Sequence, residues 1–216
     1  MPRSTLAESV AFALRDAIYR GDYVSGERLV ELSLSQELHV SQNTVRDALY
    51  LLEQQGLVVK NARRGVYLRT HTPAEAEEVY TLWQVIEGAA LEWALPALTR
   101  DDHHALRGLL DEARQHVMVN SFLAATPLFT LHETLGRRAD RPQTAAFLSN
   151  ILNQARLLEN LRQMRVPRSA HAREAQLEAH EHFLKYVTSG DVTGAQRCLA
   201  DHLRTEYEAL LAIMKG

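Results

Sequence analysis

The order of local signals across residues 5–69 constrains this chain more than any other feature. Thr5 and Glu8 form a capping box, in which each side chain satisfies the other's exposed backbone N–H. Val10, Leu14, Ala17 and Ile18 follow at helical spacing, and Gly21 supplies a stop. A turn-rich connector over Asp22–Glu27 leads into a short helix from Glu31 to Leu38, with Leu34 and Leu38 on one face. His39-Val40-Ser41 interrupts it. Ser41 is a good N-cap for a helix that starts at Gln42, carries the stripe Val45, Leu49, Leu52 and ends at Gly56. Two β-type runs, Leu57–Lys60 and Gly65–Leu68, flank a tip at Asn61–Gly65. Helix, helix, short turn, helix, hairpin is the order of a winged helix-turn-helix.

A fresh start comes at Thr72-Pro73-Ala74-Glu75, where Thr caps, Pro takes the first helical position and Glu closes a second capping box. Beyond it strand signals are missing. The spacing predicts helices near 73–97, 101–117, 126–136, 143–165, 170–188 and 192–214, the last two joined by the tight break Thr188–Asp191. The expected architecture is therefore mainly α: a winged domain over 1–70, then an all-helical bundle over 73–216, with Thr70–Pro73 as the joint.

Composition removes several classes of function. With 46% hydrophobic residues and a net charge of −3, the chain has a core and is not disordered. Its apolar runs last only a few residues, too short to cross a bilayer. The opening Met1-Pro2-Arg3-Ser4 lacks the apolar stretch of a secretory signal, so a soluble, cytoplasmic protein is expected. The single cysteine, Cys198, excludes a disulfide framework and is expected to be a small buried hydrophobe. Residues 1–72 carry +1 and residues 73–216 carry −4, so the placement of cations matters more than their sum.

In a helix-turn-helix the N-terminal residues of the second helix read base edges, while cations and backbone N–H groups hold phosphates. Those residues here are Ser41, Gln42, Asn43, Thr44 and Arg46. Amide side chains suit adenine, and Arg suits guanine or phosphate. At the hairpin tip Arg63, Arg64 and Gly65 place two guanidiniums on a narrow projection that can reach a minor groove. The alternative is an ordinary solvated surface on a protein-interaction module.

Three histidines sit on the apolar faces of three bundle helices: His132 among Leu128, Leu131 and Leu135, His180 between Leu177 and Leu184, and His202 beyond Cys198 and Leu199. His180 and His202 lie ten residues before Gly190 and eleven after Asp191, so an antiparallel hairpin brings them level. Each alone reads as a satisfied core histidine. Together they read as a divalent-metal site in a bundle interior.

The segments Leu14–Ile18, Gly26–Leu29, Val40–Leu49, Leu52–Leu57 and Arg64–Val66 resemble the GntR family of bacterial transcription regulators. With the helical region after Thr72, the chain is similar to the FadR-type branch, whose C-terminal domain is called FCD. The resemblance implies binding to double-stranded DNA and a small-molecule effector sensed in the bundle. It also implies metal ligation by an Asp four residues before a His and by two later histidines. His132, His180 and His202 match those histidines, for Zn²⁺ or Ni²⁺, but Leu128 stands where the Asp would be. The family's Arg-Thr-Pro after the cap serine is Gln42-Asn43-Thr44 here, and Trp83 replaces an Arg ahead of Glu87. Trp83, Leu128 and Arg156 are therefore the effector-pocket candidates, Arg156 against a plain surface role. Either three histidines hold the metal, or the site has drifted to a metal-free pocket for a less polar effector.

An enzyme is not expected. His132-Glu133 lacks the second histidine of H-E-x-x-H, and no nucleophile elbow, phosphate loop or dinucleotide fingerprint occurs. The expected function is a ligand-responsive regulator, a repressor, that binds a pseudo-palindromic operator as a homodimer and does not involve a membrane. A metal-dependent bundle hydrolase and a winged-helix protein-interaction module are the other readings.

Overall fold

The computed structural model describes residues 5–117 and 121–215. Residues 1–4 and 216, at the ends of the two expected domains, and the N-terminal segment read for a secretory signal lie outside them. The chain divides into two compact units, Met1–Thr70 and His71–Gly216.

In the first unit α1 (Leu6–Tyr19) starts at the Thr5–Glu8 capping box: the Thr5 N–H donates to Glu8 at 2.6 Å, and the Glu8 N–H donates to Thr5 Oγ1 at 3.2 Å. It buries Val10, Ala11, Leu14 and Ile18. A two-residue strand β1 (Arg28–Leu29) precedes α2 (Glu31–Glu37), and His39 turns the chain with φ 53° into α3 (Gln42–Gln54). β2 (Val58–Asn61) and β3 (Gly65–Leu68) form the wing hairpin, and β1 pairs with the far edge of β3, giving the antiparallel order β1-β3-β2. Sequence periodicity cannot show β1, because two residues make no alternation. Fully buried Ile18, Val45, Leu52 and Leu57 fix α3 on α1 and on the sheet.

The second unit holds α4 (Pro73–Ala94), a 3₁₀ turn over Leu95–Ala97, α5 (Arg100–His116), α6 (Ser121–Arg138), α7 (Pro142–Arg165), α8 (Ala170–Ser189) and α9 (Val192–Lys215). The chain is mainly α, with a small sheet in the winged unit. Capping boxes open α4 (Thr72, Glu75) and α5 (Thr99, Asp102). The expected helix at 126–136 begins five residues earlier, because α6 runs through Pro127 instead of starting beside it. A proline removes one helical N–H, and the long apolar face of α6 (Ala125, Leu128, Leu131, Leu135) buried in the bundle outweighs that loss. Gly190, with φ 73°, ends α8 and turns the chain back into α9. Among the described residues no helix is long and apolar enough to cross a membrane.

Candidate nucleic-acid interface and metal centre

Ser41 caps α3, its Oγ accepting from the Thr44 N–H at 3.1 Å and lying 2.8 Å from the Thr44 hydroxyl. The cap leaves Gln42 and Asn43 exposed on the first turn, where the free N–H groups and the helix dipole favour an anion. Arg46, one turn on, does not hang free: Glu31 of α2 accepts from its Nη2 at 2.8 Å, and Asn43 accepts from its Nη1 at 3.2 Å. The guanidinium is thus held over the N-terminal turn of α3. At the wing, Arg63 takes φ 61° and the Arg64 N–H closes the turn on the Asn61 carbonyl at 3.0 Å. Gly65 has φ 109°, and a Cβ there would stand 3.1 Å from Arg28 Nε, because the Arg28 side chain reaches the tip of the wing. Arg28 is a cation of this surface that the sequence reading missed, since β1 itself gave no signal.

In the bundle, His132 (α6), His180 (α8) and His202 (α9) bring one ring nitrogen each within 4.8 Å of the others. The His180 and His202 ring centroids are 4.5 Å apart across the α8–α9 hairpin. Two neighbours fix the tautomers. The Gln176 carbonyl, which can only accept, lies 2.8 Å from His180 Nδ1. Fully buried Glu87 of α4 accepts from His132 Nδ1 at 2.7 Å and from Trp83 Nε1 at 2.5 Å. Both Nδ1 atoms therefore carry a proton, and the His132 and His180 Nε2 atoms lie 3.3 Å apart. That contact is satisfied either by an Nε2–H of His132 donating to His180 Nε2 or by a cation between the two nitrogens. A tetrahedral zinc with Zn–N bonds near 2.1 Å sets its nitrogens about 3.4 Å apart, so this donor pair fits a metal edge. Burial, together with the neighbouring histidine, pushes the His180 pKa down to about 3, and burial lowers His202 as well. Both are therefore neutral near pH 7, as ligation requires.

Trp83 and Leu128 line a cavity of about 20 Å³ beside these rings, with Phe129 stacked on Trp83 at 5.5 Å. That space holds an ion or a water. Arg156 is buried, which removes its surface role, and stacks 5.0 Å over Phe129 behind the cavity wall. Cys198 is only partly buried, correcting the expectation of a core position, because its Sγ sits against the Ala179 carbonyl at the α8–α9 seam.

The sequence reading also missed a buried ion cluster on the same cavity. Glu159 of α7 accepts from Arg162 Nε at 2.9 Å, and Arg168, in the α7–α8 connector, bonds both Glu159 and Glu206 of α9. Burial opposes ionisation of Arg168, but the two carboxylates outweigh it and keep the guanidinium charged. Burial likewise works against the Glu159 carboxylate, yet Arg162 and Arg168 hold its pKa below the usual range. For Glu206 burial wins, and its pKa is raised.

Residues 6–68 match the family described as "Bacterial regulatory proteins, gntR family", and residues 78–205 match the FCD domain. An uncharacterized HTH-type transcriptional regulator of Bacillus subtilis is 21% identical over 94% of this chain and 89% of its own length. The Exu regulon transcriptional regulator of Escherichia coli is 26% identical over 50% of this chain and 48% of its own length. Among solved structures, a GntR transcriptional regulator of Rhodococcus sp. RHA1 superposes with a TM-score of 0.82 at 25% identity, covering 97% of this chain and 99% of that one. Escherichia coli McbR shares the fold, with a TM-score of 0.86 at 19% identity, over 96% and 98% of the two chains.

Proposed function

Because the chain belongs to the bacterial GntR family and carries an FCD domain, a transcription regulator and not an enzyme, we propose that it is a metal-containing, ligand-responsive repressor. It binds a pseudo-palindromic operator as a homodimer. In this reading α3 enters the major groove. Gln42 and Asn43 reach adenine edges, Arg46 reaches a guanine or phosphate, and Ser41 and Thr44 present the N-terminal amides to the backbone. Arg63 and Arg64, on the turn that Gly65 completes, reach the adjacent minor groove. Two-fold symmetry of the dimer is what makes the operator pseudo-palindromic. Support for a dimer comes from α4, which leaves Leu82, Val85 and Trp93 exposed on its outward side.

His132, His180 and His202 would hold a Zn²⁺ or Ni²⁺ ion, which would supply a coordination position for the effector. Trp83 and Leu128 form the wall against which the effector lies, and Arg156 braces Phe129 behind it. The effector changes DNA affinity by its differential affinity for the DNA-bound and free states, and by no more than that. The observation that carries the reading is the convergence of three histidines, one ring nitrogen each within 4.8 Å of the others, with His132 and His180 Nε2 3.3 Å apart.

The test is metal analysis of protein purified without tag-derived metal, beside salt-dependent retention on duplex DNA. One metal per chain, absent in His180→Ala, is expected. The double variant Arg63→Ala/Arg64→Ala is expected to flatten the log K against log salt slope by about 1 to 2. Metal-free wild type, or an unchanged slope, contradicts the reading.

A further inference from the structure

Charge is spread unevenly over the winged unit. Helices α2 and α3 hold Glu31, Glu37, Asp47 and Glu53 against one cation, Arg46, and Glu31 already closes on its guanidinium at 2.8 Å. From Gln54 to Ala74 the chain has no acid at all and carries Lys60, Arg63, Arg64 and Arg69. Duplex DNA presents one negative charge per about 1.7 Å of its axis, so seating α3 in a groove brings carboxylates toward phosphates with a single, already paired cation to offset them. The offset has to come from the sheet.

The register sets Arg28 of β1 directly opposite Tyr67 of β3, so the two side chains leave the same face. The next pair, Leu29 and Val66, is buried, which makes the Arg28 face the outward one. Alternation along β3 puts Gly65 on that outward face as well. Gly65 has no side chain to fill its place, and the Arg28 guanidinium lies there: a Cβ on Gly65 would stand 3.1 Å from Arg28 Nε and 3.4 Å from Nη2. The Arg28 head group is thus carried along β3 to the level of the turn that displays Arg63 and Arg64. The Tyr67 hydroxyl donates to the Arg64 carbonyl at 3.1 Å and ties that turn to the same strand. Among the described residues no carboxylate is within ion-pair distance of Arg28, Arg63 or Arg64, whereas Arg20 and Arg46 of the same unit are each paired. Three unmatched guanidiniums therefore belong to one end of the wing.

Their positions give them different partners. Arg63 and Arg64 stand on the turn, the narrowest part of the hairpin. Arg28 lies back on the flat of the sheet, against the Gly65 backbone. When the turn enters a groove, a cation on the flat behind it meets the phosphate ridge at the groove's edge. We propose that Arg28 is a DNA-phosphate contact, and that the end of the wing it shares with Arg63 and Arg64, rather than α3, supplies the electrostatic part of DNA binding. This rests on the DNA-binding reading above. Helix α3 then offers base-reading amides, Gln42 and Asn43, with little charge, and the sheet supplies the sequence-independent grip.

The experiment is an anisotropy titration of the full-length protein, as purified, on two fluorescent duplexes of equal length. One is the DNA upstream of its own gene and the other is a scrambled sequence, each from about 50 to about 300 mM KCl. Arg28→Gln is expected to flatten the log K against log salt slope by about 0.9 on both duplexes. At about 0.1 M salt that is a loss of about eightfold in affinity, the factor such a slope spans up to about 1 M. Arg28→Lys keeps the charge and is expected to keep the slope. Arg46→Gln, whose charge Glu31 already offsets, is expected to change the slope by less than half as much as Arg28→Gln. An unchanged slope in Arg28→Gln, a loss confined to the upstream duplex, or an Arg46→Gln change as large as that of Arg28→Gln overturns the proposal. Main-chain bonds to β3 and buried Leu29 hold β1, so Arg28→Gln is expected to melt with wild type. Should it fold poorly, Arg28→Met keeps the stem across Gly65 and reads the same slope, and the Arg46→Gln arm needs neither. The failures are distinct: wild type without salt-dependent affinity for either duplex sinks the DNA-binding reading, whereas a steep wild-type slope that Arg28→Gln leaves intact sinks only the Arg28 contact.

Discussion

Replacing Glu87 by glutamine changes one atom in the wall of the histidine cluster and tests the tautomer argument. The Glu87 carboxylate accepts two hydrogen bonds, from Trp83 Nε1 at 2.5 Å and from His132 Nδ1 at 2.7 Å, in a position of zero exposure. A glutamine has one accepting oxygen. The indole N–H can only donate, so the oxygen turns to Trp83 and the amide N–H₂ faces His132. His132 then accepts at Nδ1, its proton moves to Nε2, and the lone pair facing His180 is lost. Outer partners of metal-bound histidines typically contribute 10- to 100-fold in affinity, about 1.4 to 2.7 kcal/mol, and a lost ligand sets the expectation at the upper end. The assay is zinc competition against a chromophoric chelator, with the melting temperature in EDTA as a check that the fold is intact. Zinc affinity of Glu87→Gln within threefold of wild type refutes the reasoning.

Three further expectations follow from the same geometry. Since burial lowers the His180 pKa to about 3 from 6.5, the unfolded chain takes up a proton below pH 6.5 that the folded chain refuses. Metal-free protein is therefore expected to lose about 2 kcal/mol between pH 7.5 and 5 through this group alone. Denaturant midpoints in EDTA check this; a His180→Gln variant that loses as much as wild type counts against it. Ser41→Ala removes the acceptor of the Thr44 N–H and is expected to lower stability by about 1 kcal/mol and to weaken DNA retention, and unchanged values of both speak against the cap. Gln42→Arg is expected to move base preference at its position from adenine toward guanine; sites selected from random DNA read it out, and identical preferences dispose of the Gln42 contact.

The features legible in the sequence are those built from near neighbours. The capping boxes at Thr5 and Thr72 each need residues three apart, and the structure shows both. The level placement of His180 and His202 needs only a count on either side of Gly190, and their rings lie 4.5 Å apart. What the sequence conceals depends on distant partners. Glu87 stands 45 residues from His132, and nothing about a lone acid in α4 marks it as the residue that orients a histidine on α6. Arg168 sits in the break Pro167-Arg168-Ser169 and reads as solvated loop, although it closes on Glu159 and on Glu206, 38 residues away. The start of α6 at Ser121 is hidden for the same reason, because a proline at the start of a helix and one tolerated inside it, as Pro127 is, look alike until the packing of Leu128 and Leu131 is known.

The central claim is that α3 and the wing recognise a particular duplex sequence and that the bundle governs this recognition. The most direct measurement is the affinity of the purified protein for the DNA upstream of its own gene, against a scrambled duplex of equal length and base composition, at physiological salt. A preference of about 10³-fold or more, changed when the bundle's metal is stripped, is the expected result. Equal affinity for both duplexes, with and without metal, contradicts the account.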